Sequence, residues 1–338
     1  MMNSIGITRR GALALGLGAG AAIMMPRLAR AQSVTLRYGH NNEPASVAGA
    51  QAYWFAEAVG KHSGGDLAVQ VFPASQLGKL QELAEAVSLG TIAFSHNTAG
   101  GIGSLYEPFA ALDTPYLYRD VDHLMKVMDI NSPVMQELNT GLIEAANVRV
   151  IYAHYFGRRN LTANKAIYKP SDLAGEKIRA VPFPIYTTAV EGMGAAAVPV
   201  DWSEVPTALA TGVVAGQENP VNVVLNVKLY EVQSHLMLTG HMSNAEVVVM
   251  NEDAWQGLSD AQKEAVAAAS LEIRDRATKA IQENEEKDTQ ALRDKGMTVI
   301  GPEDGLDVAA FQASVSKLVE ERFGEKYGGL YEKIKAIA

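Results

Sequence analysis

The chain has 338 residues, of which 48% are hydrophobic and 20% charged, and its formal net charge at pH 7 is −9. This composition is typical of a folded globular protein of one or two domains. The acidic balance argues against binding to nucleic acid or to an anionic membrane. Cysteine is absent, which excludes disulfides and thiolate metal sites.

The first 31 residues have the pattern of an export signal. Arg9 and Arg10 precede an apolar run, and residues 29–31 have the small-x-small pattern of a cleavage site. The paired arginines favour the twin-arginine route, with the general secretory route and a transmembrane anchor as alternatives, although the run is too short to span a bilayer. We therefore expect a cleaved signal peptide at 1–31 and a periplasmic protein. Its net charge is −13, because four arginine charges are lost from −9.

Strand and helix patterns alternate along the rest of the chain. The first half contains a strand at 34–40, a helix at 46–60, a strand at 67–72, a helix at 79–90 and a strand at 91–97. The pattern then restarts with strands at 148–156 and 177–181, a helix at 184–194, an extended segment at 196–200, a helix at 203–212 and a strand at 213–219. This order predicts an α/β fold of two lobes, each a mainly parallel sheet covered by helices.

One long helix is predicted near the C-terminus. Ser259 and Gln262 fit a capping box, Lys295 and Gly296 fit a helix end, and no breaker lies between them. A helix of about 36 residues is about 54 Å long, whereas a lobe of about 150 residues is roughly 40 Å across. We therefore expect this helix to run along both lobes. A coiled-coil dimer arm is the alternative, but the polar stretch at 282–288 interrupts a heptad seam, so we expect a monomer.

Polar side chains at the ends of the predicted strands mark the candidate site, because open α/β sheets bind ligands beyond the carboxyl ends of their strands. Arg179 is the most informative of them, since it lies in the apolar stretch KIRAVPF. A buried guanidinium must be paired, and its planar fork suits a ligand carboxylate. A structural ion pair with Glu218 is the alternative, and the spacing alone does not separate the two.

Signals for catalysis are weak. The sequence lacks the H-E-x-x-H, P-loop and G-x-S-x-G patterns, and its seven histidines have no metal-ligand spacing. We therefore expect no enzyme activity, no cofactor and no metal. One alternative is an exported hydrolase or lyase that uses Glu218 as a base, and another is a sensor domain or scaffold that binds a partner protein.

Seven segments together resemble the substrate-binding proteins of tripartite ATP-independent periplasmic (TRAP) transporters. They are FPASQLG (72–78), GTIAFS (90–95), TPYLYRDVDH (114–123), GRRNLTANKAI (157–167), KPSDLAGEKIRAVP (169–182), GQENP (216–220) and LYEVQSHLMLTGH (229–241). The resemblance implies a two-lobed protein that closes on an organic anion and delivers it to a TRAP permease in the membrane. We accordingly expect lobe I at 33–156 and 245–284, and lobe II at 157–244 and 285–338.

The resemblance also implies which residues contact the ligand. Arg179 takes the place of the family's signature arginine, which clamps the ligand carboxylate, and Arg159 takes that of a second contacting arginine. The other expected ligand-binding residues are Asn219, Asn41, Thr98, Trp202 and Phe183. The amides and the hydroxyl favour a sugar acid such as a uronate or an aldonate, with a C4-dicarboxylate or a keto acid as the alternative.

Overall fold

The computed structural model describes residues 34–338, and the predicted signal peptide at 1–31 lies outside the described residues. The strands of this part are β1 (Val34–Gly39), β2 (Leu67–Phe72), β3 (Phe94–Thr98), β4 (Val148–Ala163), β5 (Lys177–Ala180), β6 (Ala196–Pro199), β7 (Gly216–Pro220), β8 (His235–Asn251) and β9 (Thr298–Ile300). The α-helices are α1 (Val47–His62), α2 (Leu80–Ser88), α3 (Ala99–Ile102), α4 (Val121–Val127), α5 (Pro133–Ala146), α6 (Pro184–Gly192), α7 (Val205–Ala210), α8 (Val221–Asn226), α9 (Glu252–Gln256), α10 (Asp260–Asp294) and α11 (Val308–Lys335). Within these residues, none of the helices combines the length and apolar character that crossing a bilayer requires.

The strands of this described region form one sheet in the order β2-β1-β3-β8-β4-β7-β5-β6, with β9 beside β8. The short strands pair in parallel, β1 with β2 and β3, and β5 with β6 and β7. The two longest strands, β4 and β8, are antiparallel to each other, and β3 and β7 pair with them in antiparallel fashion. The parallel pairing predicted for each half is therefore present, and the β4–β8 pair joins the two halves.

This join is the feature that the sequence did not predict. The strand expected at 148–156 continues to Ala163. Gly157 lies in the continuation with φ 130°, and a Cβ there would lie 2.7 Å from the Cβ of Pro220. The pairing of β4 with β8 shifts register between Val150 and Tyr152, between Tyr155 and Gly157, and between Arg159 and Leu161. Because bulges bend a strand and increase its twist, β4 turns from one half of the molecule into the other without ending.

The segment at 203–219 also differs from the prediction. The expected helix at 203–212 is divided into a 3₁₀ turn at Trp202–Glu204 and the helix α7. The expected strand at 213–219 begins only at Gly216. Val213 precedes the strand and is 54% exposed to solvent. The first valine of this valine-rich segment therefore lies on the surface, before the buried strand.

The long helix α10 confirms the prediction at both ends. It has 35 residues, and Ser259 Oγ accepts from the backbone N–H of Gln262 while the Gln262 side chain accepts from the N–H of Ser259. Its buried side chains reach three apolar clusters in turn. Ile273 and Ile281 pack into the two clusters of the first half, and Leu292 packs into a cluster of the second half. The helix therefore runs along both halves of the sheet.

The helix α11 crosses between the halves as well. Phe311 and Val315 pack in a cluster with Ile178 of the second half, whereas Ile334 packs with Leu138 of the first half. Two long helices and two long strands therefore connect the halves of the protein.

We expect Ile273→Ala to lower the free energy of unfolding by about 2–5 kcal/mol, because a fully buried side chain leaves a cavity when it is shortened. Leu271 on the same helix is 49% exposed, so Leu271→Ala is the matched control and should change stability by less than about 0.5 kcal/mol. Urea denaturation followed by circular dichroism measures both. Equal losses in the two variants would contradict the packing of α10 on the sheet.

Candidate functional site

A small cavity lies where the ends of several strands meet. Six of the seven residues predicted to bind ligand line it, namely Asn41, Thr98, Arg159, Arg179, Trp202 and Asn219. Asn41 follows the end of β1, and Thr98 ends β3, so the first half of the chain supplies one side. The strands β5 and β7 bring Arg179 and Asn219 from the second half. The volume of the cavity is about 30 Å³, so its walls lie close together.

Phe183 is the exception among the predicted residues. It follows the cavity residue Val181 closely in sequence, but it packs in an apolar cluster with Ile185 and Met242 and does not line the cavity. Phe183 directly precedes α6, and its ring packs with the buried apolar side chains of that helix. Contrary to the prediction, Phe183 therefore does not share the cavity wall with Trp202.

Arg159 on β4 and Glu218 on β7 form a buried ion pair, and each is only 1% exposed. Arg159 Nε donates to Glu218 Oε2, and Nη2 donates to Oε1 at 2.8 Å and to the Glu218 carbonyl oxygen at 2.6 Å. His241 Nε2 lies 3.1 Å from Oε2, and its Nδ1 lies 2.8 Å from Thr239 Oγ1. The arginine that pairs with Glu218 is thus Arg159, so the alternative of an ion pair between Arg179 and Glu218 is wrong.

The charges of this pair support each other. Burial alone would raise the pKa of Glu218, but the attraction of Arg159 and the hydrogen bond from His241 outweigh it and lower that pKa to about 2. Burial also opposes the charge on Arg159, and the adjacent Glu218 carboxylate raises the pKa of the guanidinium nonetheless. Both groups are therefore ionised at neutral pH.

Arg159 is also held from its other side. Its Nη1 donates to Asn244 Oδ1 at 3.4 Å, and the guanidinium carbon lies 5.1 Å from the centre of the Tyr186 ring. Asn244 and Tyr186 donate in turn to the Asp113 carboxylate, at 2.7 Å and 2.8 Å. These contacts fix the orientation of Arg159 and leave Nη1 with a single long hydrogen bond.

Arg179 is buried without an ion pair. Its Nε donates to the Val200 carbonyl oxygen at 2.8 Å, and its guanidinium carbon lies 5.7 Å from the centre of the Trp202 ring. It is 1% exposed, and within residues 34–338 none of the ion pairs closer than 4.0 Å includes it. Burial lowers the pKa of Arg179 to about 10. The group is still charged at neutral pH, so the cavity contains a cation that no protein carboxylate neutralises.

The remaining predicted residues differ in whether their polar groups already have hydrogen-bond partners within the protein. Asn219 Nδ2 donates to Gln217 Oε1 at 2.5 Å, and Thr98 Oγ1 accepts from the Gly101 N–H at 3.0 Å at the start of α3. Asn41 Oδ1 is buried and makes no hydrogen bond within the described chain. Asn41 therefore brings a free acceptor to the cavity.

Glu246 on β8 also lines the cavity and was not predicted from the sequence. It is 3% exposed and lies in register with Thr98 on β3 and His154 on β4. Burial raises the pKa of Glu246 to about 8. The available signal was a lone carboxylate in the apolar stretch AEVVVM, because a buried acid in a strand is rare unless it is paired or functional.

We expect Glu218→Gln to lower the free energy of unfolding by about 3–5 kcal/mol, because it leaves the buried charge of Arg159 without its partner. Glu191 pairs with Arg322 at the surface, and its side chain is 38% exposed. Glu191→Gln is therefore the control and should cost less than about 1 kcal/mol. Chemical denaturation at pH 7 measures both variants, and similar losses would refute the buried pair.

The acid dependence of stability should follow from the same carboxylate. The folded-state pKa of Glu218, about 2, lies below the ordinary value of 4.5. Its ionised form therefore stabilises the fold above pH 4.5, and this contribution is lost as the pH falls towards 2. We expect wild type to lose more stability than Glu218→Gln over this interval, measured by denaturation at several pH values. Parallel pH curves would contradict the depressed pKa.

Comparisons with known proteins identify the family of this chain. Residues 38–326 match the family described as bacterial extracellular solute-binding protein, family 7. A solute-binding protein of Verminephrobacter eiseniae (strain EF01-2) is 34% identical over 298 residues, which are 88% of this chain and 87% of that protein. The 2,3-diketo-L-gulonate-binding periplasmic protein of Escherichia coli (strain K12) is 31% identical over 320 residues, which are 94% of this chain and 95% of that protein.

A solved structure gives the same result for the fold. The TRAP periplasmic solute binding protein of Roseobacter denitrificans OCh 114, with bound L-galactonate, matches with a TM-score of 0.84 and 30% identity and covers 90% of this chain and 99% of that one. This two-lobed fold and the match over most of the sequence agree with each other. The chain therefore belongs to family 7 of the bacterial extracellular solute-binding proteins, which are the substrate-binding proteins of TRAP transporters.

Proposed function

We propose that this protein is an extracytoplasmic receptor that binds a sugar acid in the cavity and delivers it to a TRAP permease. The observation that carries the proposal is Arg179, a buried guanidinium of the cavity wall that makes no ion pair with a carboxylate of residues 34–338. A ligand carboxylate supplies the missing partner through charge-assisted hydrogen bonds, each worth about 1.5–3 kcal/mol net. The names of two relatives support an acid ligand, since one structure contains L-galactonate and one protein is named for 2,3-diketo-L-gulonate.

The other cavity residues suit a hydroxylated acid. Arg159 Nη1 is a second cationic donor near the carboxylate. Asn41, Asn219 and Thr98 offer amide and hydroxyl groups, and a buried ligand hydroxyl needs such partners. Trp202 adds an aromatic surface for the carbon chain of the ligand. We propose these residues, with Arg179, as the ligand contacts.

Binding on this proposal requires the lobes to open and close. The cavity is narrow and both halves of the chain supply its walls, so the ligand must enter while the walls are apart. Lys79 Nζ donates to Asp201 Oδ2 at 2.5 Å beside Trp202, and the predicted boundaries place Lys79 in lobe I and Asp201 in lobe II. A ligand held by both lobes shifts the equilibrium towards the closed form by its differential affinity for that form.

We also propose that residues 1–31 are removed on export and that the mature protein acts as a monomer in the periplasm. The charged, apolar and small-residue pattern of the N-terminus supports export, and the Escherichia coli relative is named as a periplasmic protein. The lobe boundaries given above are part of the proposal, with the difference that the last turns of α11 pack on the first half.

The alternative of a hydrolase or lyase that uses Glu218 is disfavoured by the geometry. Both carboxylate oxygens of Glu218 accept hydrogen bonds from Arg159, and its pKa is about 2. A carboxylate with this pKa is a poor base near neutral pH, because general bases work best with a pKa close to the operating pH. The ion pair therefore assigns Glu218 the role of holding Arg159.

The test is a thermal-shift and calorimetric comparison of wild type with Arg179→Met, using L-galactonate, D-erythronate, D-glucuronate and succinate. We expect a sugar acid to stabilise wild type and to bind Arg179→Met about 100-fold or more weakly, because two charge-assisted hydrogen bonds are lost. Without ligand, Arg179→Met should melt at the same temperature or higher, since an unpaired buried charge is removed.

Arg149→Met is the matched control for this experiment. Arg149 lies outside the cavity and donates to Glu252 at 2.7 Å and 3.0 Å, so its loss should leave ligand affinity unchanged. Equal stabilisation of wild type and Arg179→Met by an acid would refute the carboxylate clamp. A large stability loss in ligand-free Arg179→Met would instead assign the arginine a structural role. No stabilisation by any of the four acids would refute the sugar-acid proposal.

A further inference from the structure

Glu246 has one occupied and one unoccupied carboxyl oxygen. Its Oε1 accepts a hydrogen bond from Asn42 Nδ2 at 2.7 Å, whereas Oε2 is buried and makes no hydrogen bond within residues 34–338. The nearest nitrogen atoms are Nε2 of His96, at 3.4 Å, and Nε2 of His154, at 3.7 Å. Both Glu246 and Asn42 line the cavity.

Neither histidine makes a hydrogen bond to Oε2. His154 Nδ1 lies 3.0 Å from the Tyr155 carbonyl oxygen, which only accepts, so Nδ1 carries the proton and Nε2 has none. His96 Nε2 lies 2.8 Å from Asn42 Nδ2, and its Nδ1 lies 2.9 Å from Gln51 Nε2. Burial lowers the pKa of both rings, that of His154 to about 4, and both are therefore neutral at pH 7.

Two buried oxygens on this side of the cavity, Glu246 Oε2 and Asn41 Oδ1, therefore have no partner within residues 34–338. A ligand hydroxyl can donate to either oxygen, and it can also accept when the Glu246 carboxyl carries a proton, as its pKa of about 8 allows.

Glu246 and Arg179 approach the cavity from different parts of the sheet. Glu246 is on β8 and Arg179 is on β5, and β4 and β7 lie between these strands. At about 4.8 Å per strand, the two backbones are separated by roughly 14 Å along the sheet. A ligand whose carboxylate binds Arg179 therefore presents a different part of its carbon chain to Glu246.

We infer that Glu246, supported by Asn42 and Asn41, binds a hydroxyl group at the end of the ligand remote from its carboxylate and makes the receptor select acids that have a hydroxyl at that end. This inference rests on the proposed function, because it takes the carboxylate to be held by Arg179. It adds a specificity-determining residue at the other end of the same ligand.

The experiment uses two acids that differ only at the carbon remote from the carboxylate. L-galactonate has a hydroxymethyl group there, and 6-deoxy-L-galactonate has a methyl group. Isothermal titration calorimetry with wild type should give about tenfold or greater preference for L-galactonate, because a site built to bind a hydroxyl disfavours analogues that lack it.

Two substitutions then locate the source of the preference. Glu246→Met removes the acceptor and should reduce the preference over the deoxy acid to within about twofold. Glu246→Gln keeps an acceptor of the same shape, so it should retain the preference over the deoxy acid. Glu285→Gln is the matched control, since Glu285 binds Tyr155 Oη and lies outside the cavity, and it should behave as wild type.

Each other outcome overturns the inference. Wild type that does not discriminate between the two acids, or that binds neither of them, refutes it. If Glu246→Met keeps the wild-type preference for L-galactonate, the inference is also refuted. The melting temperature shows whether each variant has folded. If Glu246→Met has not folded, the inference is judged by whether Glu246→Gln retains the preference over the deoxy acid. The proposed function is judged separately, by whether an acid of the first panel stabilises wild type and loses affinity in Arg179→Met.

Discussion

The burial of Arg179 without an ion pair is the constraint on which the site depends. Glu218 neutralises Arg159, and the contacts from His241 and Asn244 fix that pair in place. Arg179 has no such partner within the described chain and is nonetheless buried. An unpaired buried cation is unfavourable, and an anion beside it lowers this cost. On the proposed function, an acid ligand therefore removes a local instability, and a preference for anions follows from this before any shape is considered.

The fold provides the positions that this constraint needs. The short parallel strands of the two halves end near the cavity, as ligand sites in open α/β sheets do, while β4 and β8 pass from one half to the other. Arg159 and Glu246 come from these two long strands, and Arg179 comes from a short one. The cavity therefore combines side chains from the two long strands, which both halves share, with side chains from the short strands of each half.

Short sequence patterns predicted those parts of the fold and of the site that depend on residues close together in the chain. The capping box at Ser259 and the absence of a helix breaker gave α10 its length, and the apolar surroundings of Arg179 indicated a buried guanidinium. The partner of Glu218 and the position of Glu246 depend on the pairing of β4 with β7 and β8, and that register is set by residues far apart in the sequence. The orientation of Phe183 depends on packing against α6, which neighbouring residues alone do not show.

The bulge between Arg159 and Leu161 has a mechanical consequence. It places a cavity-lining guanidinium inside the bend of β4, the strand that both halves share. Because the backbone there is continuous, a change in the curvature of this strand would turn the guanidinium. On the proposed function, ligand binding and the shape of the receptor are therefore coupled, and a permease that contacts only the outer surface would distinguish a loaded receptor from an unloaded one.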